Sequence, residues 1–417
     1  MTKVRATVLA ALGLVSVILG ADVFVSGQAP GARPQAPSAS AGVHPDLLAA
    51  STAVLRHDVD LGRTAGAVAM LARNGRLVHT AAVGYQDLGT HAPMTERTIF
   101  RLYSMTKPVT AVAVMMLLEQ GRFTLDEPVS KYLPEFASMV VREADGRSRA
   151  PARQVSIRDL LLHTSGLSHR TSDLYQQAQV RSRMIALPQF IRNITQAPLM
   201  EDPGTRYRYS EGTTVLGRLV EVWSGQAFDA FLQTRIFAPL GMVDTGFFAT
   251  PAQRSRLATV YAPTDGGSLR AVEMEALPFT ERPMLLEGAV GLLSTGPDFL
   301  RFSQMLLNRG ELDHVRLLRA ETVDAMVVNG LPEPVLAARG GGVMGWGLGN
   351  VNIVMKPEAL AYPANRGEYG WDGTAGTIFW NDPTTNTVIL LLTQNSPPDP
   401  DNLRRRFKAA IQAAVIQ

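Results

Sequence analysis

The sequence predicts an α+β protein: one β-sheet built from both ends of the chain, with a mostly helical segment inserted between its halves. Three observations predict this. A hairpin signal stands near the N-terminus, a second stands near the C-terminus, and the stretch between them reads as helices and loops rich in Pro and Gly.

In chain order, His44 to Val59 has helical periodicity. Ala65–Ala72 is an apolar run, Asn74-Gly75 is the preferred type I′ turn, and Arg76–Val83 resumes the strand. Val109 to Glu119 is almost wholly apolar and stops at Gly121, and a helix that is apolar all round is a buried one. Residues from about 120 to 285 carry loops and short helices. Gly376–Trp380 and Thr387–Leu392 flank Asn381-Asp382-Pro383-Thr384 as the second hairpin. Asn402 to Val415 reads as an amphipathic terminal helix, with Arg404, Arg405 and Arg406 as one solvated turn.

Composition narrows the function classes. With 46% hydrophobic and 18% charged residues, the 417-residue chain is globular rather than disordered. The absence of cysteine excludes a disulfide framework, a thiolate nucleophile and thiolate metal sites. Net charge is +3, and residues 1–42 carry +2 of it (Lys3, Arg5 and Arg33 against Asp22). The basic balance is therefore no nucleic-acid footprint, and no basic cluster interleaved with aromatics exists. Lys3 and Arg5 precede an apolar stretch from Ala6 to Val25, so residues 1–27 read as a signal peptide cleaved after Gly27 or as an uncleaved membrane anchor. Either places the protein outside the cytoplasm, in the periplasm or beyond, and the missing cysteine excludes a lipoprotein. Residues 28–42 form a Pro/Ala/Ser-rich linker, and the folded domain spans 43–417, with its helical subdomain at about 120–285.

Three boxes carry chemistry. Ser104-Met105-Thr106-Lys107 has the spacing S-x-x-K. If Ser104 opens the helix that continues through Val109, Lys107 lies one turn away on the same face. A serine needs an adjacent base or positive field to attack, and a helix start offers backbone N–H groups to an oxyanion. Pro108 is tolerated in a first turn, where its missing N–H has no partner. The second box, Pro203-Gly204 through Tyr209-Ser210-Glu211, is a turn and a tyrosine-rich loop. Tyr209 is the acid/base candidate, because a nearby ammonium stabilises a phenolate. The third, Trp371-Asp372-Gly373-Thr374, leads into the last hairpin, where the Thr374 N–H is a second oxyanion donor beside that of Ser104.

In this order the boxes resemble the serine β-lactamase and penicillin-binding-protein superfamily, in its class C-like branch that includes the family VIII carboxylesterases. Phe100–Lys107, Leu160–Leu167, Ile236–Met242 and Gly291–Thr295 carry the same resemblance. It implies a β-lactamase/transpeptidase-like fold: an antiparallel sheet flanked by helices, a mostly helical subdomain, and the site at their junction. It implies Ser104 as nucleophile, Lys107 as its electrostatic partner or base, Tyr209 as acid/base, and no cofactor or metal. It favours a monomer acting on a small-molecule acyl substrate.

Two departures bear on that substrate. Glu211 stands where class C-like β-lactamases have an asparagine, so that substrate-binding position offers no donor when ionised. Trp371-Asp372-Gly373 replaces Lys-Thr-Gly, exchanging a cation for an apolar face beside an acid that repels anions. Arg366 is the remaining nearby cation. With Glu211, Trp371 and Gly373 as substrate contacts, the expectation is a hydrolase of small or medium neutral acyl esters. The rivals are a β-lactamase or D,D-peptidase-like hydrolase, an acyltransferase, and a non-catalytic cell-envelope binding protein. Gly340–Gly345 matches G-x-G-x-x-G without a surrounding βαβ unit and reads as a loop entering a strand near Trp346. No G-x-S-x-G elbow is present.

Overall fold

A central eight-stranded sheet carries the molecule in the computed structural model, which describes residues 42–416. The segment read as signal or anchor, and the linker apart from Gly42, lie outside the described residues. Helix α1 (Pro45–Asp60) leads into β1 (Gly66–Arg73) and β2 (Arg76–Asp87), followed by the short edge strand β3 (Ala92–Pro93). Asn74 and Gly75 both take positive φ, 49° and 75°, as a type I′ turn requires. Strands β4 (Met344–Trp346), β5 (Asn352–Val354), β6 (Tyr369–Asp372), β7 (Ile378–Asp382) and β8 (Thr387–Leu392) come from the other end of the chain. The spatial order is β4-β5-β6-β7-β8-β1-β2-β3, antiparallel throughout. The two halves join where Val68 faces Leu392 and Arg73 faces Thr387.

Alternation along β1 explains why its run is apolar without a break. Ala67, Ala69 and Leu71 face Leu48 and Leu55 of α1 and Phe407 and Ile411 of the terminal helix α6 (Leu403–Ala413). Val68, Met70 and Ala72 face the opposite core, which contains α2 (Thr106–Glu119) and Phe299 and Phe302 of α5 (Gly296–Leu307). A strand buried on both faces reads as a continuous hydrophobic run. Helix α2 is buried from Thr106 to Leu117, so it lies inside the molecule between sheet and helical layer.

Three expectations need adjustment. Asn381 and Asp382 belong to β7 rather than to the second turn, because the Asp382 carboxylate accepts from the Thr384 N–H (2.9 Å) and the Thr385 hydroxyl (2.6 Å) and so ends the strand. The segment from 120 to 285 holds α3 (Ile157–Leu162) and α4 (Gly212–Ser224), but also two small hairpins, at 141–149 and 261–271. The strand expected near Trp346 is β4, whereas β5 is not anticipated, since three residues show no period; the glycine-rich stretch before them forms a short 3₁₀ turn at Gly340–Gly342.

The arginine run in α6 is a further correction. Arg405 is exposed, but Arg406 pairs with the fully buried Asp58 of α1, and Arg404 turns inward to the third box. One turn later Lys408 donates to Glu368 at 2.8 Å, with side chains 0% and 1% exposed. A buried pair broken on one side leaves an uncompensated charge. Lys408→Met should therefore cost about 3–5 kcal/mol in urea unfolding, and Lys408→Met with Glu368→Leu should recover most of that loss. Equal losses in the single and double variants would mean that the pairing itself contributes nothing.

Candidate active site

The site is assembled on the start of α2. A two-stranded contact of Phe100–Arg101 with Leu293–Ser294 brings the chain in, and the Leu102 N–H donates to the Leu292 carbonyl at 2.9 Å. Tyr103 then adopts φ = 45°, an uncommon conformation for a bulky residue, and is wholly buried. Ser104 lies in the 3₁₀ turn Tyr103–Met105 that precedes α2, not in the helix itself. The 3₁₀ turn tightens the chain just before the α-helical ladder takes over. Lys107 remains at the expected i+3 position, and its Nζ is 3.5 Å from Ser104 Oγ and donates to the Ala289 carbonyl at 3.1 Å. Thr106 and Thr110 pin the same helix start to the 288–292 segment, through the Leu292 N–H (3.0 Å) and the Gly288 carbonyl (2.7 Å).

Tyr209 is delivered by the loop before α4. His163 ends α3 in the left-handed region (φ 54°) and fixes that loop twice. Its carbonyl accepts from the Arg208 N–H at 2.8 Å, and its Nδ1 accepts from the Ser210 N–H at 3.3 Å. Burial first, then the Lys107 and Arg339 charges, hold the His163 ring well below its usual proton affinity. It is therefore neutral, with Nδ1 as acceptor and the proton on Nε2. The Tyr209 ring lies 4.8 Å from the His163 ring and 5.4 Å from the Trp371 ring, and Lys107 Nζ sits 4.5 Å from the Tyr209 ring centroid. Tyr209 Oη and Trp371 Nε1 are both buried without a hydrogen-bond partner of ordinary geometry. Trp346 closes this aromatic wall edge-on to Trp371, with centroids 4.6 Å apart, and its own Nε1 donates to the Leu161 carbonyl.

Electrostatics reverse one expectation. Burial pushes the Tyr209 phenol well above its ordinary 10, against the smaller pulls of the Ser104 hydroxyl and the Trp371 indole. Tyr209 is thus a phenol at neutral pH and not the phenolate that sequence reasoning placed beside an ammonium. Burial also brings Lys107 down to about 7, with Glu211 holding it up and Arg170 pressing it lower. A large fraction of the amine is free at neutral pH, and the free amine is the group here able to accept a proton.

The third box departs from expectation in a second way. Gly373 is buried, and a Cβ there would stand 2.3 Å from the Leu102 carbonyl oxygen and 2.4 Å from Thr377 Oγ1. Its absent side chain lets the β6–β7 turn close on the strand leading to Ser104, so a glycine is required there for close approach. That turn carries Thr374, and among the described residues the amides of Ser104 and Thr374 donate to no protein acceptor. Asp372 does not present a free charge: Arg404 donates to its carboxylate at 2.6 Å and to the Gly373 carbonyl at 2.9 Å. Glu211 is likewise not a cleft residue. It is 1% exposed, stands at the N-cap position of α4 without a side-chain capping bond, and accepts from the Thr214 hydroxyl at 3.0 Å. Burial raises its carboxyl, but Lys107, Arg170, Arg181 and His169 together outweigh that and leave it ionised.

Ser104, Lys107, Tyr209 and Trp371 therefore meet, beside the turn that carries Thr374, whereas Glu211 and Gly373 support the site from behind. Arg404, Trp346 and the strained Tyr103 were not read from the sequence. Arg404 sat in a charge run that spacing alone assigns to solvent.

A serine one helical turn from a buried lysine, at the junction of an antiparallel sheet and a helical layer, defines the β-lactamase/transpeptidase-like architecture. Residues 52–414 match the family model described as Beta-lactamase, and the chain belongs to that family. It is 32% identical over 365 residues to Protein Rv1367c of Mycobacterium tuberculosis, covering 83% of this chain and 89% of that protein. It is 31% identical over 359 residues to Esterase EstB of Burkholderia gladioli, covering 80% and 87%. Among solved structures it resembles EstCE1, described as a hydrolase with promiscuous acyltransferase activity. The TM-score is 0.77 at 27% identity, over 89% of this chain and 99% of that one.

Holding Lys107 near 7 has a stability cost with a defined sign. The unfolded chain binds that proton up to about 10.5 and the folded chain only to about 7. The penalty is full below pH 7, and it lifts as pH rises towards 10.5. Lys107→Met should therefore raise the melting temperature at pH 6 by about 2–4 °C. The gain should shrink as pH approaches 10, and a gain that stays constant with pH would contradict a desolvated lysine.

Proposed function

We propose that the protein is a serine hydrolase that cleaves small or medium acyl esters through an acyl-Ser104 intermediate. The observation that carries this reading is the desolvated Lys107 amine, in reach of Ser104 Oγ and under the phenol of Tyr209. In the first half-reaction Ser104 Oγ attacks the ester carbonyl and its proton passes to Lys107 Nζ. The amides of Ser104 and Thr374 hold the developing oxyanion. Tyr209, a phenol at this pH, gives its proton to the departing alkoxide and is refilled from Lys107. In the second half-reaction water attacks the acyl carbonyl, its proton returns by the same path, and Ser104 leaves as the alcohol. An alcohol in place of water transfers the acyl group, so hydrolysis and acyl transfer share one intermediate.

The esterase relative and the EstCE1 likeness support the substrate class. Trp371 supports it as well, because it leaves the third box without the lysine that would attract a β-lactam carboxylate. The charged and then apolar N-terminus supports an exported protein, whether that segment is cleaved or anchored.

The test compares the chain from His44 onward with its Ser104→Ala variant, on a short p-nitrophenyl ester and a chromogenic cephalosporin. Ester turnover should vanish in the variant, and cephalosporin turnover should be slower than ester turnover; the opposite order would move the reading to β-lactams. With Lys107 as base near 7, kcat/KM for the ester should rise through about pH 7 and stay level towards pH 9, since Tyr209 keeps its proton there. Lys107→Met should lose about 10²–10⁴-fold in kcat. A pH profile unchanged in shape by that substitution would remove Lys107 from the role.

Arg404→Ala should lower kcat about tenfold or more with KM little changed, because the guanidinium braces the turn that carries Thr374 and does not reach substrate. A loss confined to KM would contradict that bracing.

A further inference from the structure

A polar cavity of about 1030 Å³ opens beside Thr374, and its walls include Arg170, Tyr175, Arg181 and Glu275. Its cations are unequally committed. Arg181 is spent: two of its nitrogens bind the Glu287 carboxylate, and the third is 2.8 Å from Glu275. Arg170 makes a single polar contact among the described residues, 3.5 Å to Glu275, although its side chain is only 14% exposed. Arg181 carries one charge against the two carboxylates Glu275 and Glu287, so Arg170 completes that balance, but through a single 3.5 Å contact that leaves the rest of its fork for another partner. The guanidinium centre lies 5.8 Å from the ring of Tyr103, the residue before Ser104. Its field reaches the active site, since it presses the Lys107 proton off.

The two carboxylates that argued against an anionic substrate do not face this space. Glu211 is buried and bonded to its own helix, and Asp372 is paired with Arg404. Arg170 thus offers this wall a guanidinium fork with unused donors, where the third box has no cation of its own.

We propose that Arg170 binds a carboxylate carried by the ester substrate, which makes the preferred substrates acyl esters with an anionic group a few bonds from the reacting carbonyl. This inference rests on the hydrolase reading and names its substrate class. An arginine with open donors in a nearly closed wall suits a carboxylate, because its planar fork meets both oxygens and is weakly hydrated to begin with.

The carboxylate can sit on the acyl side or the alcohol side, and two substrate pairs separate these. The acyl pair is mono-p-nitrophenyl glutarate against p-nitrophenyl pentanoate. The alcohol pair is 4-acetoxybenzoate against phenyl acetate. The quantity read is the kcat/KM ratio of anionic to neutral ester, in the native enzyme and in Arg170→Ala and Arg170→Lys. Changes in the Lys107 base affect both members of a pair and cancel in the ratio. In one pair the ratio should fall about 10–100-fold in Arg170→Ala and recover in part in Arg170→Lys. Arg170→Ala leaves Arg181 alone between Glu275 and Glu287, so each variant is first checked for folding by its melting temperature, and Arg170→Lys keeps the balancing charge. Ratios unmoved in both pairs would overturn the proposal and leave the hydrolase reading intact. If the native enzyme turns over none of the four esters, the hydrolase reading fails. Calorimetric binding of the same pairs to Ser104→Ala, with and without Arg170→Ala, then decides the proposal: tighter binding of the anionic member that needs Arg170 upholds it, and equal binding overturns it.

Discussion

The constraint on which the rest of the structure depends is the burial of one lysine nitrogen. Helix α2 runs through the interior with apolar residues on every side, and Lys107 sits in its first turn, 1% exposed. Water would restore the ammonium and its ordinary proton affinity, so the site must exclude it. Carbonyl 289, the Tyr209 ring and the Ser104 hydroxyl take the place of solvent around Nζ. The buried Glu211 keeps the amine from losing its proton entirely. The stability that this arrangement sacrifices is returned by the core around α2 and the sheet that covers it.

The same low-dielectric surroundings act on Tyr209 with the opposite chemical result. Removing water disfavours whichever form is charged, so a lysine loses its proton and a tyrosine keeps its own. Two groups that differ by little in water thus become a base and an acid a few ångströms apart. Around them His163 and Trp346 are fixed through backbone partners, while Tyr209 Oη and Trp371 Nε1 are buried with no protein partner of ordinary geometry among the described residues.

Much of the fold and part of the site were legible because they rest on local rules. The Asn74-Gly75 turn, the all-apolar α2 and the Ser104–Lys107 spacing each depend on neighbours within one element. Strand β5 was not legible, because three residues are too few to show a period, and β4 was legible only as a strand near Trp346. Glu211, Asp372 and Arg404 were misjudged for one shared reason. Each was read by its own chemistry, whereas its role is set by a partner far along the chain. Asp372 ceases to be a repelling acid only because a helix from residue 403 onward lays Arg404 against it. The buried ionic cluster of Arg170, Arg181, Glu275 and Glu287 joins segments about a hundred residues apart, and no spacing rule reports it.

The pairing of β1 with β8 carries a consequence for how the molecule comes into being. These neighbours at the middle of the sheet are separated by some three hundred residues of sequence, from Val68 to Leu392. The entropy of closing so long a loop is spent before the contact returns anything, which places the protein among slow folders of high contact order. Arg404, which steadies the turn beside the serine, lies some three hundred residues after it in the chain. A nascent chain therefore holds its serine and lysine long before it holds a working cleft, and the reactive centre is switched on only once the helix that carries Arg404 has emerged and docked.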